Sequence, residues 1–253
     1  MWGRGGRHYD DVSFAISDAL AHACQRLNAR AGECILDVAT GTGWSARNVA
    51  RMGAAVTGVD ISEELLAAAR EFSAHVRPAI EFRHGDAERL PFGDGAFDGV
   101  ISTFGIMFAL DQTQAAAELT RVCRHAGRLA LTTWAPAGAV ARFFGIMAQH
   151  SNAPPPSSSA LAWGDPAHVE KLLGKAFDLR LEHGVSNAYH GSEQDIWDWY
   201  IRGFGPLRQL AETLPADRLE WLRRDVDAYH RHYVMPAGLH VKREYLLIMG
   251  RRR

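Results

Sequence analysis

ILDVATGTG, residues 35–43, decides how this chain folds. With Cys34 it opens as CILDVA (34–39), an apolar run too short for a helix. A turn of small residues follows, Ala39, Thr40, Gly41, Thr42 and Gly43, and helical spacing resumes at once in WSARNVARM (44–52). Strand, tight turn and helix in immediate succession leave backbone N–H groups bare at the helix start, where a carboxylate or phosphate is favoured, and small side chains let a ligand approach the main chain. The same turn also serves merely to reverse the chain, so its ligand must be argued from what surrounds it.

The surroundings repeat the pattern. AAVTGVDI (54–61) is β-rich and leads into SEELLAAAREFSAHV (62–76), where Ser62 is a good N-cap with Glu63 and Glu64 in the first turn. IEFRHGD (80–86) alternates apolar and polar residues, FDGVIST (97–103) is a fourth strand, QTQAAAELTRVCRHA (112–126) is a helix ended by Gly127, and RLALTTW (128–134) is a fifth strand. Upstream, apolar residues at helical spacing over 12–29 predict a helix stopped by Gly32. Strands alternating with helices imply right-handed βαβ units, hence a doubly wound, mostly parallel α/β sheet. The second half reads as helix 138–150, a Pro/Ser linker at 152–159, helix 165–177 capped by Asp165, strand 178–190, helical stretches 192–214 and 216–233, and strand 244–250. This is a continued sheet, seven strands in all, with a helical insertion. The organisation expected is a helical cap over 1–29, a core over 30–135, and a completing region with lid helices over 136–253, one structural domain overall.

Composition narrows the partners. Hydrophobic residues are 47% and charged residues 23% of 253, ordinary for a globular protein, and the net charge of -1 argues against a nucleic-acid binder. The basic run Arg251–Arg253 reads as a solvated tail. Three cysteines lack zinc spacing; Cys34 and Cys123 sit in apolar runs and read as buried hydrophobes, so no metal is expected and a reducing cytoplasm fits. The N-terminus MWGRGGRHYD has no apolar segment of a signal peptide, and no stretch approaches the ~18 apolar residues of a membrane span.

Three strand ends carry the chemistry. Asp60, 17 residues after Gly43, ends the second strand, where an acid can accept both hydroxyls of a ribose held across the first turn. Asp86 ends the third with Ala87 behind it, and Asp94-Gly95 turns the chain into the fourth. The alternatives are plain turn residues. Taken as a set, Asp37 with Ala39, Gly41 and Gly43, then Asp60, GDAERLPF (85–92), FDGVIS (97–102) and ELTRVCRHAGRLAL (118–131) resemble the class I S-adenosylmethionine-dependent methyltransferases, most closely the ubiquinone/menaquinone-type, small-molecule branch. The resemblance covers about residues 30–135. It implies the Rossmann-like methyltransferase fold, S-adenosylmethionine as cofactor and S-adenosylhomocysteine as product. It also implies that Ala39, Thr40, Gly41 and Gly43 embrace the methionine part, that Asp60 holds the ribose and that Ile61 packs on the adenine. Asp86 and Ala87 then bind the adenine rim, Thr103 to Met107 closes over the cofactor, and Tyr9 and Trp2 help cover it. Ala39 departs from a common glycine, and His125-Ala126-Gly127 from a usual Pro-Gly-Gly turn.

Methyl transfer from a sulfonium needs alignment above all. An acceptor hydroxyl would also need a base; His8, His84 and His190 are candidates, His8 foremost because the segment WGRGGRHY resembles one that folds over the cofactor, and each is otherwise structural or exposed. Trp44 either lines the methionine end or packs under its helix. Aromatic residues crowd 138–240, consistent with a lid over an apolar or aromatic acceptor, and STFGIM (102–107) stands where nucleic-acid and protein N-methyltransferases often carry an Asn-Pro-Pro-Tyr-like segment. A small-molecule acceptor and a monomer or homodimer are therefore expected. A non-catalytic nucleoside-binding module stays open. A nicotinamide-dependent oxidoreductase lacks its Tyr-x-x-x-Lys pair, since none of the three lysines (Lys171, Lys175, Lys242) follows a tyrosine by four residues. Gly174-Lys175-Ala176 does not form a P-loop.

Overall fold

The computed structural model describes residues 1–154 and 158–253, so the central part of the expected Pro/Ser linker, 155–157, lies outside the described residues. A 3-10 segment, Trp2–His8, leads into α1 (Tyr9–Phe14) and α2 (Ser17–Leu27). Then β1 (Cys34–Val38), α3 (Trp44–Ala50), β2 (Ala55–Asp60), α4 (Glu63–Ser73) and β3 (Glu81–His84) alternate. They are followed by β4 (Phe97–Thr103), α5 (Gln112–Val122), β5 (Cys123–Trp134), α6 (Ala139–His150) and α7 (Pro166–Leu173). The chain ends through β6 (Phe177–His190), α8 (Glu193–Gly203), α9 (Gly205–Thr213), α10 (Ala216–Arg231), β7 (Val234–Met235) and β8 (Gly238–Arg252).

The sheet runs β3-β2-β1-β4-β5-β8-β6, with the two-residue β7 paired on β8. Strands β1 to β5 are mutually parallel, and β8 alone of the seven is antiparallel to both its neighbours. The expected doubly wound, mostly parallel seven-stranded sheet is therefore the observed one. Strand order reverses between β1 and β4, the switch point at which open α/β sheets bind ligands beyond the strands' carboxyl ends. Burial follows from this layout. Ile35, Leu36, Val38, Val100 and Ile101 are fully buried because helices cover both faces of the central strands. Ser62 caps α4 by accepting the Leu65 amide, and Asp165 caps α7 by accepting the Ala167 amide, with Pro166 at the first helical position.

Several boundaries differ from expectation, each for a local reason. The 12–29 helix is two helices, broken at Ala15-Ile16, and α2 ends on Asn28 in the left-handed region (φ 52) rather than near Gly32. The helix begun at 112 stops at Val122. Cys123 already pairs with Phe97, and the His125-Ala126-Gly127 turn is an irregularity inside β5 with Ala126 at φ 57. Gly127 is required there because a Cβ would stand 2.7 Å from the Cys123 sulfur and 2.8 Å from the Arg124 carbonyl. The 192–214 stretch divides at Phe204, where α8 ends and Gly205-Pro206 opens α9. Strand 244–250 extends to 238–252 because every residue of β6 finds a partner on it. Cys34 is exposed, not buried, since it is the first residue of β1 and lies outside the covered part of the sheet; Cys24 and Cys123 are buried.

The N-terminal segment docks on the α8–α9 junction through glycines. A Cβ on Gly203 would stand 2.6 Å from the His8 carbonyl, and one on Gly205 2.5 Å from the Met1 and Trp2 carbonyls. Gly203→Ala is therefore expected to cost about 1–3 kcal/mol of local docking. Tryptic cleavage at Arg4 and Arg7 should rise by about tenfold or more while the global melting temperature shifts little. Unchanged cleavage would mean the segment is held elsewhere.

Candidate active site

Beyond the carboxyl ends of β1 to β4 lies a cleft of ≈ 270 Å³. Its floor is the turn between β1 and α3, in which Ala39 (φ 55), Gly41 (φ 57) and Gly43 (φ 82) are all left-handed. A non-glycine residue in that region costs of order 1 kcal/mol, and the structure over-determines it here. The Thr40 amide donates to the Val59 carbonyl (2.9 Å), the Gly41 amide to Asp60 Oδ2 (2.8 Å), and the Gly43 amide to the Thr40 carbonyl (2.9 Å). The Ala39 methyl fits because residue 105, across from it, is glycine; a Cβ on Gly105 would overlap that methyl.

Of the residues singled out from sequence, Tyr9, Ala39, Thr40, Gly41, Asp60, Ile61, Asp86, Ala87 and Thr103 line this one cleft. Three do not. Asp37 is buried in β1 beneath the turn. Gly43 faces the core, where a Cβ would stand 3.0 Å from the Phe82 ring. Met107 is wholly buried, because the 3-10 turn Ile106–Phe108 points Ile106 and Met107 into the core and presents Phe108 to the cleft. None of the three histidine candidates lines it either. His8 is half exposed on the outer side, 3.8 Å from Asp11, as expected when the next residue on the same turn, Tyr9, points inward. His84 sits against the Ile61 carbonyl at 3.1 Å. His190 lies at the far end of β6, where burial, with Arg243 nearby, pulls it down to about 4. Trp44 lines the cleft and also packs against Phe14 and Arg47. Ser13, Ile16 and Leu20 were missed: their spacing in the sequence gives no signal that separates a cleft wall from a core face, and the break at Ala15-Ile16 is what brings them together. Phe104, inside the expected Thr103–Met107 segment, lines the cleft; Glu88 and Phe108 were missed because only the loop geometry turns them inward.

The electrostatics are set by burial. Asp60 accepts the Gly41 and Ser62 amides (2.8 and 2.9 Å), and burial raises its carboxyl above the usual range against these bonds. Burial, with Asp60 nearby, also raises the Tyr9 phenol, which stays protonated and able to donate. Asp37 is pushed up to about 7 by burial; one oxygen accepts the Thr40 hydroxyl (2.6 Å) and the other has no partner among the described residues. Ser45 and Thr103 share a hydroxyl hydrogen bond of 2.8 Å at the inner end. The buried Arg47 is paired with Asp10 at 2.8 Å, and Thr42 donates to the same carboxylate, so α1 is clamped onto the turn.

These residues suit an adenosyl group carrying an amino-acid tail. Asp60 offers acceptors at the rim, and Ile61 is 63% exposed beside it, an apolar side chain held out where a flat base can rest. The small-residue backbone of Ala39 to Gly41 lies next to Asp60 and leaves room for a ligand to approach the main chain. Among the described residues no cluster of metal-ligating side chains is present.

Two outcomes test the site. Asp37 favours its neutral form when folded, so its contribution to stability is complete below the ordinary carboxylate range and is lost as pH rises through about 7. Asp37→Asn removes that loss, so the variant's melting temperature should gain on the parent's between pH 5 and pH 8; parallel curves would contradict the buried-acid account. Gly105→Ala should cost about 1–3 kcal/mol in urea unfolding, and adding Ala39→Gly should restore most of it. Additive losses would show that the two positions do not meet.

A model of the methyltransferase domain family matches residues 36–131. An uncharacterised protein of Mycobacterium tuberculosis is 35% identical over 182 residues, 69% of this chain and 65% of that protein, so the match spans slightly less than two thirds of that relative. The demethylmenaquinone methyltransferase of Tropheryma whipplei is 34% identical over 179 residues, 68% of this chain and 72% of that enzyme. Among solved structures, the YcgJ protein of Bacillus subtilis superposes with a TM-score of 0.66 at 21% identity, over 94% of this chain and 99% of that one. The chain belongs to the class I S-adenosylmethionine-dependent methyltransferases, in the branch of the ubiquinone/menaquinone-type enzymes.

Proposed function

We propose that the chain transfers the methyl group of S-adenosylmethionine to a small-molecule acceptor at the inner end of the cleft. The observation that carries this reading is the gathering of Asp60, the exposed Ile61, Asp86 and the Ala39–Gly41 backbone in one cleft at the switch point. S-adenosylmethionine, when bound, supplies a methyl on a sulfonium whose departure leaves a neutral thioether. The chain's own residues do the rest by placement. Asp60 accepts from the ribose, Ile61 supports the adenine, and Ala39 to Gly41 receive the amino-acid end. Thr103, Phe104 and Phe108 bound the space where an acceptor meets the methyl, and Trp2 and Tyr9 close the N-terminal segment over it. Alignment of this kind lowers a barrier by roughly 7–11 kcal/mol.

Neither histidine nor lysine is among the cleft-lining residues described, and Glu88 is engaged by the Leu110 and Asp111 amides. The site therefore suits an acceptor that is nucleophilic on arrival, such as a thiolate, an amine, a stabilised carbanion or a phenolate, rather than an aliphatic hydroxyl. The aromatic surface at the inner end suits a planar or apolar body.

Calorimetric titration of S-adenosylhomocysteine should give micromolar binding, weakened by about tenfold or more in Asp60→Ala, which corresponds to ~1.4 kcal/mol. Absence of binding to folded parent protein would remove the methyl-transfer reading. Binding that Asp60→Ala leaves untouched would remove the ribose contact.

A further inference from the structure

We propose that the acceptor is recognised by an anionic oxygen, a carboxylate or phenolate carried on an aromatic body, held by Arg243 and Tyr200 where the lid meets the inner wall of the cleft. The proposal rests on the methyl-transfer reading and adds to it the chemical class of the acceptor.

Arg243 lies in β8 opposite Ser186 of β6. One terminal nitrogen, Nη2, donates to the Ala15 carbonyl and to Ser186 Oγ, the latter at 3.1 Å. Nε is sequestered without a partner, and Nη1 has none among the described residues. Asp18, the acid in its neighbourhood, accepts the Ser186 hydroxyl at 2.7 Å and the Ala19 amide at 2.8 Å; its charge favours the Arg243 cation, but among the described residues it makes no salt bridge with it. The contrast with Arg47 is direct: that guanidinium, more deeply buried than the half-buried Arg243, has the Asp10 carboxylate at 2.8 Å. A half-buried guanidinium without a paired carboxylate is costly, and an incoming anion recovers part of that cost. Burial accordingly lowers Arg243 from its usual range.

Tyr200 supplies the second donor. Burial raises its phenol, so it stays protonated, and its hydroxyl has no protein partner among the described residues. Arg243 and Tyr200 are both only partly covered, so each retains an open side. Close to Tyr200, His230 is 1% exposed; its Nδ1 faces the Val226 carbonyl at 2.7 Å and its Nε2 is buried without a partner. Unpaired polar atoms are uncommon in folded interiors, and Arg243 and His230 place two of them within one cluster.

Neither Arg243 nor Tyr200 lines the cleft itself, but the cluster adjoins the cleft wall through neighbouring residues on two sides. Ala15, which Arg243 holds, lies between Ser13 and Ile16, both of which line the cleft. Tyr200 packs on Phe204 (5.7 Å) and Phe204 on Trp2 (5.7 Å), and Trp2 lines the cleft as well. Phe143 stacks on Tyr200 at 4.7 Å and 15°. An acceptor with an apolar ring among these aromatics and an anionic oxygen at the Arg243 end satisfies both surfaces at once.

The test uses the full chain saturated with S-adenosylhomocysteine, titrated with the probe pair 2-naphthoate and 2-naphthamide, which share their shape and differ in charge. The acid should bind the parent protein about tenfold more tightly than the amide. That preference should fall to near unity in Arg243→Gln and by several-fold in Tyr200→Phe, with S-adenosylhomocysteine affinity unchanged in both. Equal binding of the two probes, no binding of the acid, or a preference that survives both substitutions would overturn the proposal and leave Arg243 as a staple between the α1–α2 junction and the sheet. Should Arg243→Gln fail to fold, Tyr200→Phe, which keeps the ring, decides alone. A chain that binds no S-adenosylhomocysteine fails the methyl-transfer reading separately, because the acid-to-amide ratio can be read without it.

Discussion

The carboxylate of Asp60 accepts the Gly41 amide with one oxygen and the Ser62 amide with the other, at 2.8 and 2.9 Å. Through these two bonds the end of β2 fixes both the turn after β1 and the entry into α4. A turn with three left-handed residues in five would not persist on local preference alone, since Ala39 gains nothing from φ 55. It is held because Asp60 and the Val59 carbonyl satisfy successive amides along it. The same carboxylate stands at the cleft rim with lone pairs to spare, so what shapes the floor also presents acceptors to a ligand.

The remainder of the site is arranged around that floor. The Asp10–Arg47 pair and the Thr42 hydroxyl tie the N-terminal helix to the turn. Gly5, Gly203 and Gly205 let the first residues lie directly on the α8–α9 junction, backbone against backbone. The N-terminal segment and the α8–α9 junction thus meet at Trp2, which belongs both to the cleft lining and to the aromatic cluster of the C-terminal helices. The reaction proposed for the cleft depends on enclosure more than on acid–base groups, because a sulfonium methyl needs alignment and exclusion of water before it needs a proton acceptor.

The fold was legible because its signals are local and repeated. Each strand from 34 to 134 is bounded by a turn residue or a cap, and apolar period changes at those points. Errors fell where tertiary pairing overrides a local pattern. Residues 123–127 have helical composition, yet Phe97 of the neighbouring strand pairs with Cys123 and draws the segment into the sheet. Cys34 sits in an apolar run but is the first, uncovered residue of its strand. The site was legible to the extent that strand ends define it. Asp60 and Asp86 are found by position alone, whereas Met107 and Phe108 differ only in which way a 3-10 turn directs them.

By itself, then, the sequence determined the parallel sheet, its switch point and the acids and glycines at its edge, because strand alternation, turn chemistry and caps are written residue by residue. Tertiary structure alone decided that His8 turns outward while Tyr9 turns in, that Asp37 is buried deeply enough to titrate near 7, and that Gly105 makes room for Ala39. It alone left Arg243, among the described residues, without a salt bridge in the neighbourhood of Tyr200. Each of these depends on which residues, far apart in the chain, come to share one low-dielectric space, and no local pattern encodes that distance.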